Sequence, residues 1–387
     1  MSRRIRANSF VPLRDRASEW RRRIELIESA QSFIYVSTFY IEWDRYGQEF
    51  LQALRNAKNR DVHVSLIIDG FGQKLGDFAM PASSRRQLAS EFDGLRAAGV
   101  EVLHYAPHRH ASRWLAGGHH VKIQLTDNGR ALFSSGNISA SSHERWDEFA
   151  AIVDGPVAMP MLESFTILGV NVRPIDRELI ANLGTIGGAE PIEFNYEIFN
   201  PTAGHGLLGP LGWKSNNFIS TSIHDAIAGA RESVRLTSFY FKPAPMLRRV
   251  ILAAARRGVR VEIFHSGVEA LSETYLAWMA AASDYDELLT AGIEIYESPH
   301  GEHSKIILVD DELAIFGSYN LEHAADDRLA EAMLSSSDDR VIQPIREVLD
   351  AFASLSETSR VTRSSLAELD WKLRLGRRLM RPWRRWF

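Results

Sequence analysis

The sequence contains no cysteine, and this absence removes three kinds of chemistry at once. Without a thiol, the chain can form no disulfide bond, no thiolate nucleophile and no cysteine metal site. The compartment stays open on this ground, because a cysteine-free protein works in reducing and in oxidising surroundings. Any nucleophile or metal ligand must therefore come from other residue types.

Long apolar runs are also missing. No stretch approaches the roughly 20 apolar residues that a membrane-spanning helix needs, and the basic start MSRRIRANSF lacks the apolar core of a signal peptide. We therefore expect a cytoplasmic protein. The composition, 45% hydrophobic and 24% charged, is typical of a soluble globular protein, and 387 residues suffice for two domains or for one domain built from two similar halves.

Positive charge is scarce outside the end of the chain. The formal net charge is −4, but segment 371–387 holds seven Lys and Arg and no acid, so the rest of the chain carries −11. Such an acidic body does not favour a nucleic-acid groove, although a local basic patch is compatible with it. Nucleic acid is therefore a possible partner that the charge does not favour.

The segment 371–387, WKLRLGRRLMRPWRRWF, combines its basic charge with three of the nine tryptophans. Trp371, Leu375 and Leu379 are four residues apart and gather on one side of a helix, which predicts an amphipathic anchor at an anionic phospholipid surface. A frayed solvated end and a nucleic-acid arm are the alternatives, but phosphate binding alone gives no reason for so much Trp and Leu. The predicted membrane contacts are Trp371, Arg377, Arg378, Trp383, Arg384, Arg385 and Trp386.

The order of predicted elements occurs twice. Helical patterns alternate with the apolar runs SFIYVSTFYI, VHVSLIID and VEVLHY in the first half, and with VRLTSFYF, VRVEIF and IEIYES in the second. Both third helices end in Ala-Gly just before a strand, and STFYI (37–41) and TSFYF (237–241) occupy matching places. This alternation predicts two α/β units with parallel or mixed sheets, related as a pseudo-twofold pair rather than as a repeat array.

The repeat divides the chain into four segments. We predict an N-terminal half at 1–155, connecting loops at 156–217, a C-terminal half at 218–355 and a basic aromatic tail at 356–387. The connection has no clear periodicity and is rich in Gly and Pro. We expect it to supply loops near the site, with GHGLLG (204–209) as an apolar lip rather than a dinucleotide loop, because no clear strand precedes it and no helix follows it.

A set of seven polar residues recurs with the repeat. His120, Lys122, Asp127, Ser135, Asn137, Arg145 and Glu148 return, all 183 residues later, as His303, Lys305, Asp310, Ser318, Asn320, Arg328 and Glu331. Chance could give one His-x-Lys pair, but it would hardly give the full register twice. The repeat therefore singles out two histidines as candidate site residues, whereas a lone histidine is usually structural or solvated.

Strand parity predicts how these side chains are arranged. His and Lys two residues apart point to one face of a strand, and so do Ser135 and Asn137 on the next strand. Asp127, seven residues after His120, falls on the other face, so Asp127 and Asp310 are predicted to be turn anchors rather than catalytic groups. Two sets meeting across a twofold axis would offer imidazoles, ammonium groups, hydroxyls and carboxamides to one pocket, and such a donor-rich site suits phosphate.

These groups predict a particular chemistry. A neutral imidazole is a competent nucleophile near pH 7, and a partner histidine can protonate the leaving alkoxide. The Lys, Ser and Asn groups would bind the non-bridging phosphate oxygens, and Glu148 and Glu331 would fix the histidine tautomers. A covalent phosphohistidine needs no metal, and lysines in the pocket would repel a cation, so we expect neither a metal nor another cofactor.

The duplicated set resembles the phospholipase D superfamily, whose signature is H-x-K-x4-D followed by G-S-x-N. HSKIILVD…GSYN matches in full, and HVKIQLTD…SSGN matches except at Ser134, where glycine is usual. The resemblance covers both halves and implies two α-β-α sandwich halves with mixed sheets, one shared active site and a phosphohistidine intermediate. It also implies that His120 is the nucleophile and His303 the general acid, while the pseudo-symmetry leaves their exchange open.

Within that superfamily, the length, the double unit and the basic aromatic tail are similar to those of bacterial cardiolipin synthases. This resemblance implies transfer of a phosphatidyl group, for example from one phosphatidylglycerol to the hydroxyl of another, with hydrolysis as a side reaction, by a protein peripheral to the inner face of the cell membrane. A phospholipase D hydrolase, a phosphodiesterase or nuclease acting on DNA or RNA, and a non-catalytic lipid-binding protein are the alternatives. Intact sets in both halves argue against the last of these.

Overall fold

The structure is a computed structural model, and it describes residues 1–107, 117–183, 190–201, 217–271 and 275–383. The predicted apolar lip lies outside the described residues. So do three of the predicted membrane contacts, Arg384, Arg385 and Trp386.

The first 155 residues contain nine strands and four α-helices in the described ranges. The strands are β1 (Ser2–Ala7), β2 (Ser9–Leu13), β3 (Phe33–Thr38), β4 (His63–Asp69), β5 (Glu101–Tyr105), β6 (Gly118–His119), β7 (Ile123–Thr126), β8 (Arg130–Ser134) and β9 (Ala150–Asp154). The helices are α1 (Arg16–Ser29), α2 (Arg45–Asn59), α3 (Gly70–Ala79) and α4 (Ala82–Ala97), and a π-helical turn spans Ser141–Arg145.

The remainder of the chain repeats this alternation. Its strands are β10 (Ile192–Phe199), β11 (Ser233–Ser238), β12 (Arg260–Ser266), β13 (Glu294–Ser298), β14 (Ile306–Val309), β15 (Leu313–Gly317), β16 (Leu329–Ser336) and β17 (Ser359–Arg360). Its helices are α5 (Ala158–Ile167), α6 (Pro174–Asn182), α7 (Phe218–Gly229), α8 (Pro245–Arg256), α9 (Leu276–Ala282), α10 (Tyr285–Thr290), α11 (His323–Asp327), α12 (Asp339–Ser354), α13 (Arg363–Glu368) and α14 (Trp371–Met380), and a 3₁₀ turn spans Glu269–Leu271.

Two mixed sheets share one strand order. The first sheet runs β2-β9-β8-β7-β3-β4-β5, and the second repeats this order as β10-β16-β15-β14-β11-β12-β13, with β1 and β17 at its edges and β6 paired to β16. In each sheet the last three strands of this order are parallel and the other strands of the series are antiparallel. The predicted α/β class, with mixed sheets in two similar halves, is confirmed.

A shared apolar layer holds the two sheets together. Phe133 of β8 and Phe316 of β15 meet there with ring centroids 6.1 Å apart, and Phe149 lies 5.3 Å from Phe316. This layer takes side chains from both sheets and from α5 and α12. On the other faces, α1, α2 and α4 cover the first sheet, and α7, α8 and α10 cover the second. Truncating a buried Phe costs about 3–5 kcal/mol, so this layer fixes the halves relative to each other.

The Ala-Gly helix ends form as predicted. Gly99, after α4, has a φ of +88°, and Gly292, after α10, has a φ of +83°. Glycine adopts this left-handed conformation without the steric cost that a Cβ brings, and it therefore ends a helix readily. Each glycine turns the chain directly into the third parallel strand of its half, β5 or β13.

The prediction that 156–217 is a set of connecting loops is wrong, because α5, α6 and β10 lie within it. The sequence of β10, IEFNYEIF, alternates apolar and polar residues with the period of a strand, and the Gly and Pro clusters on both sides concealed it. β10 holds in the second sheet the place that β2 holds in the first. β1, from the predicted N-terminal half, pairs with β10 and so belongs to the second sheet. The boundaries at 155, 217 and 355 stay predictions.

Candidate active site

The two His-x-Lys segments meet where the halves meet. The His120 N–H donates to the Ala330 carbonyl of β16 at 2.7 Å, and the His303 N–H donates to the Asp147 carbonyl, before β9, at 2.7 Å. Each segment is therefore held by a backbone hydrogen bond from the opposite half. This exchange brings groups that are 183 residues apart in the chain to one place.

The prediction that His and Lys lie within a regular strand is wrong. β7 and β14 begin at Ile123 and Ile306, directly after the two lysines. Lys305 has a φ of +50°, which no regular strand contains. The segments leave strand geometry because their histidine amides bond to the opposite half rather than to a neighbouring strand of their own sheet.

The two imidazoles lie together at the centre of this junction. The ring centroids of His120 and His303 are 6.4 Å apart, and the rings are nearly perpendicular at 82°. Each histidine is only 4% exposed. A tetrahedral phosphorus between two rings at this separation can be approached by one nitrogen while the other serves the opposite oxygen.

Glu148 of the first half holds the histidine of the second half. His303 Nδ1 lies 2.8 Å from both carboxylate oxygens of Glu148. The Ser135 hydroxyl donates to Glu148 Oε2 at 2.6 Å and accepts the Phe149 N–H at 2.9 Å. The single hydroxyl hydrogen of Ser135 thus orients the carboxylate, and this use replaces the predicted phosphate-binding role.

The second set is similar but not equivalent. His120 Nδ1 lies 2.8 Å from the Ser318 carbonyl oxygen and 3.4 Å from Glu331 Oε1, which is beyond a good hydrogen bond. The Ser318 hydroxyl donates to Glu331 and accepts the Ala332 N–H at 3.0 Å, so Ser318 also orients a glutamate instead of facing a phosphate. Because a carbonyl only accepts, Nδ1 of His120 carries the hydrogen and Nε2 keeps its lone pair.

Burial lowers the pKa of both histidines. It lowers the pKa of His303 to about 4, although the Glu148 carboxylate opposes the shift. Burial, with the Lys122 and Lys305 ammonium groups, lowers the pKa of His120 well below its usual range, and no carboxylate contributes a comparable opposing effect. Both rings are therefore neutral at pH 7, and a positive charge is easier to place on His303 than on His120.

The two glutamates differ in charge. Burial would raise the pKa of Glu148, but the His303 ring and Lys305 outweigh it and lower the pKa to about 2. Burial raises the pKa of Glu331 to about 8, and Lys122 opposes this only in part. At pH 7 Glu148 is a carboxylate, whereas Glu331 is largely a neutral acid.

The lysines and asparagines retain capacity for a ligand. Lys122 Nζ donates to the His120 carbonyl at 2.8 Å, and Lys305 Nζ donates to the His303 carbonyl at 2.7 Å. These bonds use one of the three ammonium hydrogens on each lysine and fix the direction of the other two. Two carboxamide oxygens, Oδ1 of Asn137 and Oδ1 of Asn320, are buried without a hydrogen-bond partner in the described part of the chain.

The conserved spacing of the two aspartates places them away from the histidines. Asp127 accepts the backbone N–H groups of Gln31 and Ser32, before β3, and Asp310 accepts three backbone N–H groups from 231–233, before β11. Each carboxylate ties the end of one strand to the start of its neighbour. This geometry agrees with the predicted role as a turn anchor.

Three aromatic residues that sequence reasoning missed form the walls around the histidines. The Phe39 ring meets His120 edge-on at 4.8 Å, and Phe239 meets His303 edge-on at 4.7 Å. Trp146 lies 5.2 Å from His303. The matching STFYI and TSFYF runs could have revealed the two phenylalanines, whereas Trp146 has no counterpart in the repeat.

The tail helix α14 is docked on α9 rather than free. Gly376 lies against Met279 so closely that a Cβ would collide with its sulfur. Arg377 is 4% exposed and donates to Asp286 at 2.9 Å. The prediction that Arg377 contacts a membrane is therefore wrong, because its charge is neutralised against the protein body.

The opposite side of α14 carries apolar side chains outward. Trp371, Leu375, Leu379 and Trp383 are 49–62% exposed, and the predicted contact Arg378 is exposed beside them. Across the ranges that the structure covers, every helix is too short or too polar to span a bilayer.

Solved structures share this two-lobed fold. Phosphatidylserine synthase from Haemophilus influenzae Rd KW20 superposes with a TM-score of 0.72 at 17% identity, over 97% of this chain and 94% of that one. Polyphosphate kinase from Porphyromonas gingivalis superposes with a TM-score of 0.59 at 13% identity, over 92% of this chain and 48% of that one. At these identities the similarity concerns the fold alone.

The family is defined by sequence. Residues 24–166 and 223–353 match the family described as cardiolipin synthase, PLD-like domain, and the chain belongs to this family. The cardiolipin synthases A of Yersinia pseudotuberculosis serotype O:1b (strain IP 31758) and of Yersinia pestis are 30% identical over 301 residues, or 73% of this chain. The chain spans 57% of the length of these curated relatives. The predicted membership of the phospholipase D superfamily is confirmed.

Proposed function

We propose that this protein is a phosphatidyltransferase of the cardiolipin synthase type. The observation that carries the proposal is the pair of buried imidazoles, 6.4 Å apart and contributed by opposite halves, with a lysine ammonium group bound beside each. The relatives named cardiolipin synthase A support the choice of phospholipid as the substrate. Hydrolysis is the side reaction when water replaces the acceptor alcohol.

In the proposed first step, His120 Nε2 attacks the phosphorus of a phosphatidyl donor. The bond from phosphorus to the leaving alcohol breaks, and a protonated His303 gives its proton to that oxygen. The charge distribution supports these roles, because the ionised Glu148 stabilises an imidazolium at His303, whereas His120 has a carbonyl at Nδ1 and stays neutral. In the second step, His303 accepts the proton of the acceptor hydroxyl, whose oxygen attacks phosphorus and breaks the bond to His120.

The lysines have a defined part in this mechanism. Lys122 and Lys305 each keep two hydrogens for the non-bridging oxygens, whose negative charge they stabilise in the transition state. The carboxamides of Asn137 and Asn320 have an unused acceptor for the acceptor hydroxyl, and, with the amide turned over, a donor for a phosphate oxygen. Water is restricted by the aromatic walls, which favours transfer over hydrolysis.

Turnover of labelled phosphatidylglycerol vesicles tests the proposal. We expect release of glycerol together with a four-chain phospholipid, as required by transfer of a phosphatidyl group to a second lipid hydroxyl. A parallel incubation with single-stranded DNA provides the comparison. Nicked DNA with intact lipid would refute the phosphatidyltransferase in favour of a nuclease, and absence of turnover of either would support a non-catalytic lipid-binding protein.

We also propose that the outward side of α14 contacts anionic phospholipid at the inner face of the cell membrane. Trp371, Leu375, Leu379 and Trp383 form an exposed apolar stripe, and the nearby basic side chains suit lipid phosphates. Docking of the helix through its other side supports a fixed orientation of this stripe relative to the site.

Replacement of the apolar stripe should weaken membrane binding without affecting the chemistry. We expect Leu375→Ser/Leu379→Ser to lower the affinity for phosphatidylglycerol vesicles about tenfold, because two exposed apolar side chains lose their contact with lipid. Hydrolysis of soluble bis(p-nitrophenyl) phosphate should stay within about twofold. Vesicle flotation measures binding, and unchanged flotation would contradict the predicted contact. Arg363→Ser, an exposed change on α13, is the control.

A further inference from the structure

Helix α3 packs directly on the wall of the candidate site. Its inward side consists of Gly72, Gln73 and Gly76, which are all buried. A Cβ at Gly72 would lie only 2.4 Å from the Phe39 ring, so glycine is required for this close approach. Phe39 in turn contacts His120. One aromatic ring therefore separates α3 from a catalytic imidazole.

A single carboxylate joins α3 to the histidine segment. Asp69 caps the helix by accepting the N–H groups of Phe71 at 3.0 Å and Gly72 at 2.6 Å. Its other oxygen accepts the N–H of His119 at 2.8 Å, one residue before His120. A shift of α3 would therefore move the backbone next to the proposed nucleophile.

The outward side of α3 is apolar, which is the reverse of an ordinary surface helix. Phe78 is 89% exposed and Leu75 is 49% exposed, three residues apart on the same side. Lys74 is exposed next to Leu75, and the exposed Arg85 of α4 donates to the Asp77 carbonyl at the end of α3. Apolar side chains with basic neighbours are typical of a surface that enters the interface of an anionic bilayer.

We infer that α3 is a membrane-contact helix that inserts Leu75 and Phe78 into an anionic phospholipid bilayer beside the catalytic histidines. The inference rests on the proposed function and adds a second contact to the tail. A bilayer is favoured over a second copy of the chain, because two projecting side chains are far from the roughly 1,200 Å² that a stable interface buries. The contact places the acyl chains of a donor lipid against α3 while its phosphate reaches His120.

The absence of cysteine allows a direct measurement. Phe78→Cys and Leu75→Cys each create a unique thiol for a polarity-sensitive fluorophore. The matched control is Ile175→Cys on α6, which is 66% exposed on a helix whose end lies beside Gly129, at the strand ends remote from the histidines. With phosphatidylglycerol vesicles, the α3 labels should shift to shorter wavelength and be quenched at least twofold by a quencher within the bilayer. Labels at 75 and 78 that respond no more than the label at 175 would overturn the inference.

A second pair of variants links the contact to turnover. Leu75→Ser/Phe78→Ser should lower turnover of vesicle phosphatidylglycerol about tenfold and leave hydrolysis of bis(p-nitrophenyl) phosphate within about twofold. Ile175→Ser/Leu179→Ser removes two exposed apolar side chains elsewhere and should change neither. Equal effects of the two pairs would contradict the inference, as would a dimer in sedimentation that only the α3 variant loses.

The outcomes for α3 and for the proposed function are separable. Vesicle insertion of the α3 labels without any phosphatidyl transfer by the unmodified protein would reject the proposed function and retain the membrane contact. Phosphatidyl transfer with α3 labels that stay in water would retain the function and reject the contact.

Discussion

His303→Asn should retain one covalent turnover on an activated substrate that His120→Asn loses completely. Bis(p-nitrophenyl) phosphate releases p-nitrophenolate, a leaving group that departs without protonation. A nucleophile at His120 then forms the phosphohistidine even when the general acid is missing. We expect His303→Asn to show a burst of p-nitrophenol close to one equivalent per site, whereas His120→Asn shows none.

On phosphatidylglycerol both variants should lose about 10³-fold or more in turnover. General acid–base catalysis contributes about 10²–10⁴-fold, and a glycerol leaving group needs its proton. Rapid mixing measures the burst, and lipid extraction measures the transfer. A burst in His120→Asn with none in His303→Asn would exchange the two roles. Near-normal turnover in either variant would reject the shared site itself, and circular dichroism confirms that both variants are folded.

Glu148→Gln should slow turnover far more than Glu331→Gln, although the two glutamates are equivalent in the repeat. Glu148 is ionised, with a pKa of about 2, and contacts His303 through both oxygens. Its amide analogue cannot stabilise an imidazolium, and the loss should be about 10²–10³-fold at pH 7. Glu331 has a pKa of about 8 and is already largely neutral at pH 7. Its amide analogue should remain within about tenfold of the original rate.

The same pair should respond to pH in opposite directions. The pKa of Glu331 in the folded state lies above its ordinary value of 4.5. Its contribution to the free energy of unfolding is therefore complete below pH 4.5 and is lost as the pH rises through 8. The pKa of Glu148 lies below 4.5, so its contribution is present above pH 4.5 and is lost as the pH falls towards 2.

Urea unfolding of the three proteins between pH 3 and pH 9 measures these contributions. The difference in unfolding free energy between the unmodified protein and Glu331→Gln should shrink as the pH rises from 4.5 to 8. The difference for Glu148→Gln should shrink only in acid. Parallel curves for the two variants would contradict the assigned charges, and similar losses of turnover would contradict the asymmetry of the site.

This asymmetry gives two nearly identical halves different tasks. One histidine has an ionised glutamate at Nδ1 and readily carries positive charge, and the other has a backbone carbonyl there and stays neutral. A transferase needs both properties at once, a proton donor and an unprotonated nucleophile. A symmetric site would titrate as one pair and would supply them less readily at a single pH.

Much of this protein was determined by the sequence alone. The seven polar residues at one offset of 183 identify both halves of the site, because chemical identity and spacing need no coordinates. The alternation of strand and helix periods indicates the α/β class for the same reason, since both periods are local properties of the chain. The Ala-Gly helix ends and the aspartate anchors also depend on neighbours in sequence or on one short turn.

The tertiary structure decided which groups meet. Glu148 pairs with His303, 155 residues away, and Ser135 turns its hydroxyl to that glutamate instead of to phosphate. β10 completes the second sheet although its flanks predicted loops, Arg377 is buried where its pattern predicted lipid contact, and α3 presents Phe78 outward. Each of these outcomes depends on contacts and burial between distant segments, which a local pattern does not encode. The same dependence on burial separates the pKa values of two glutamates that the repeat makes equivalent.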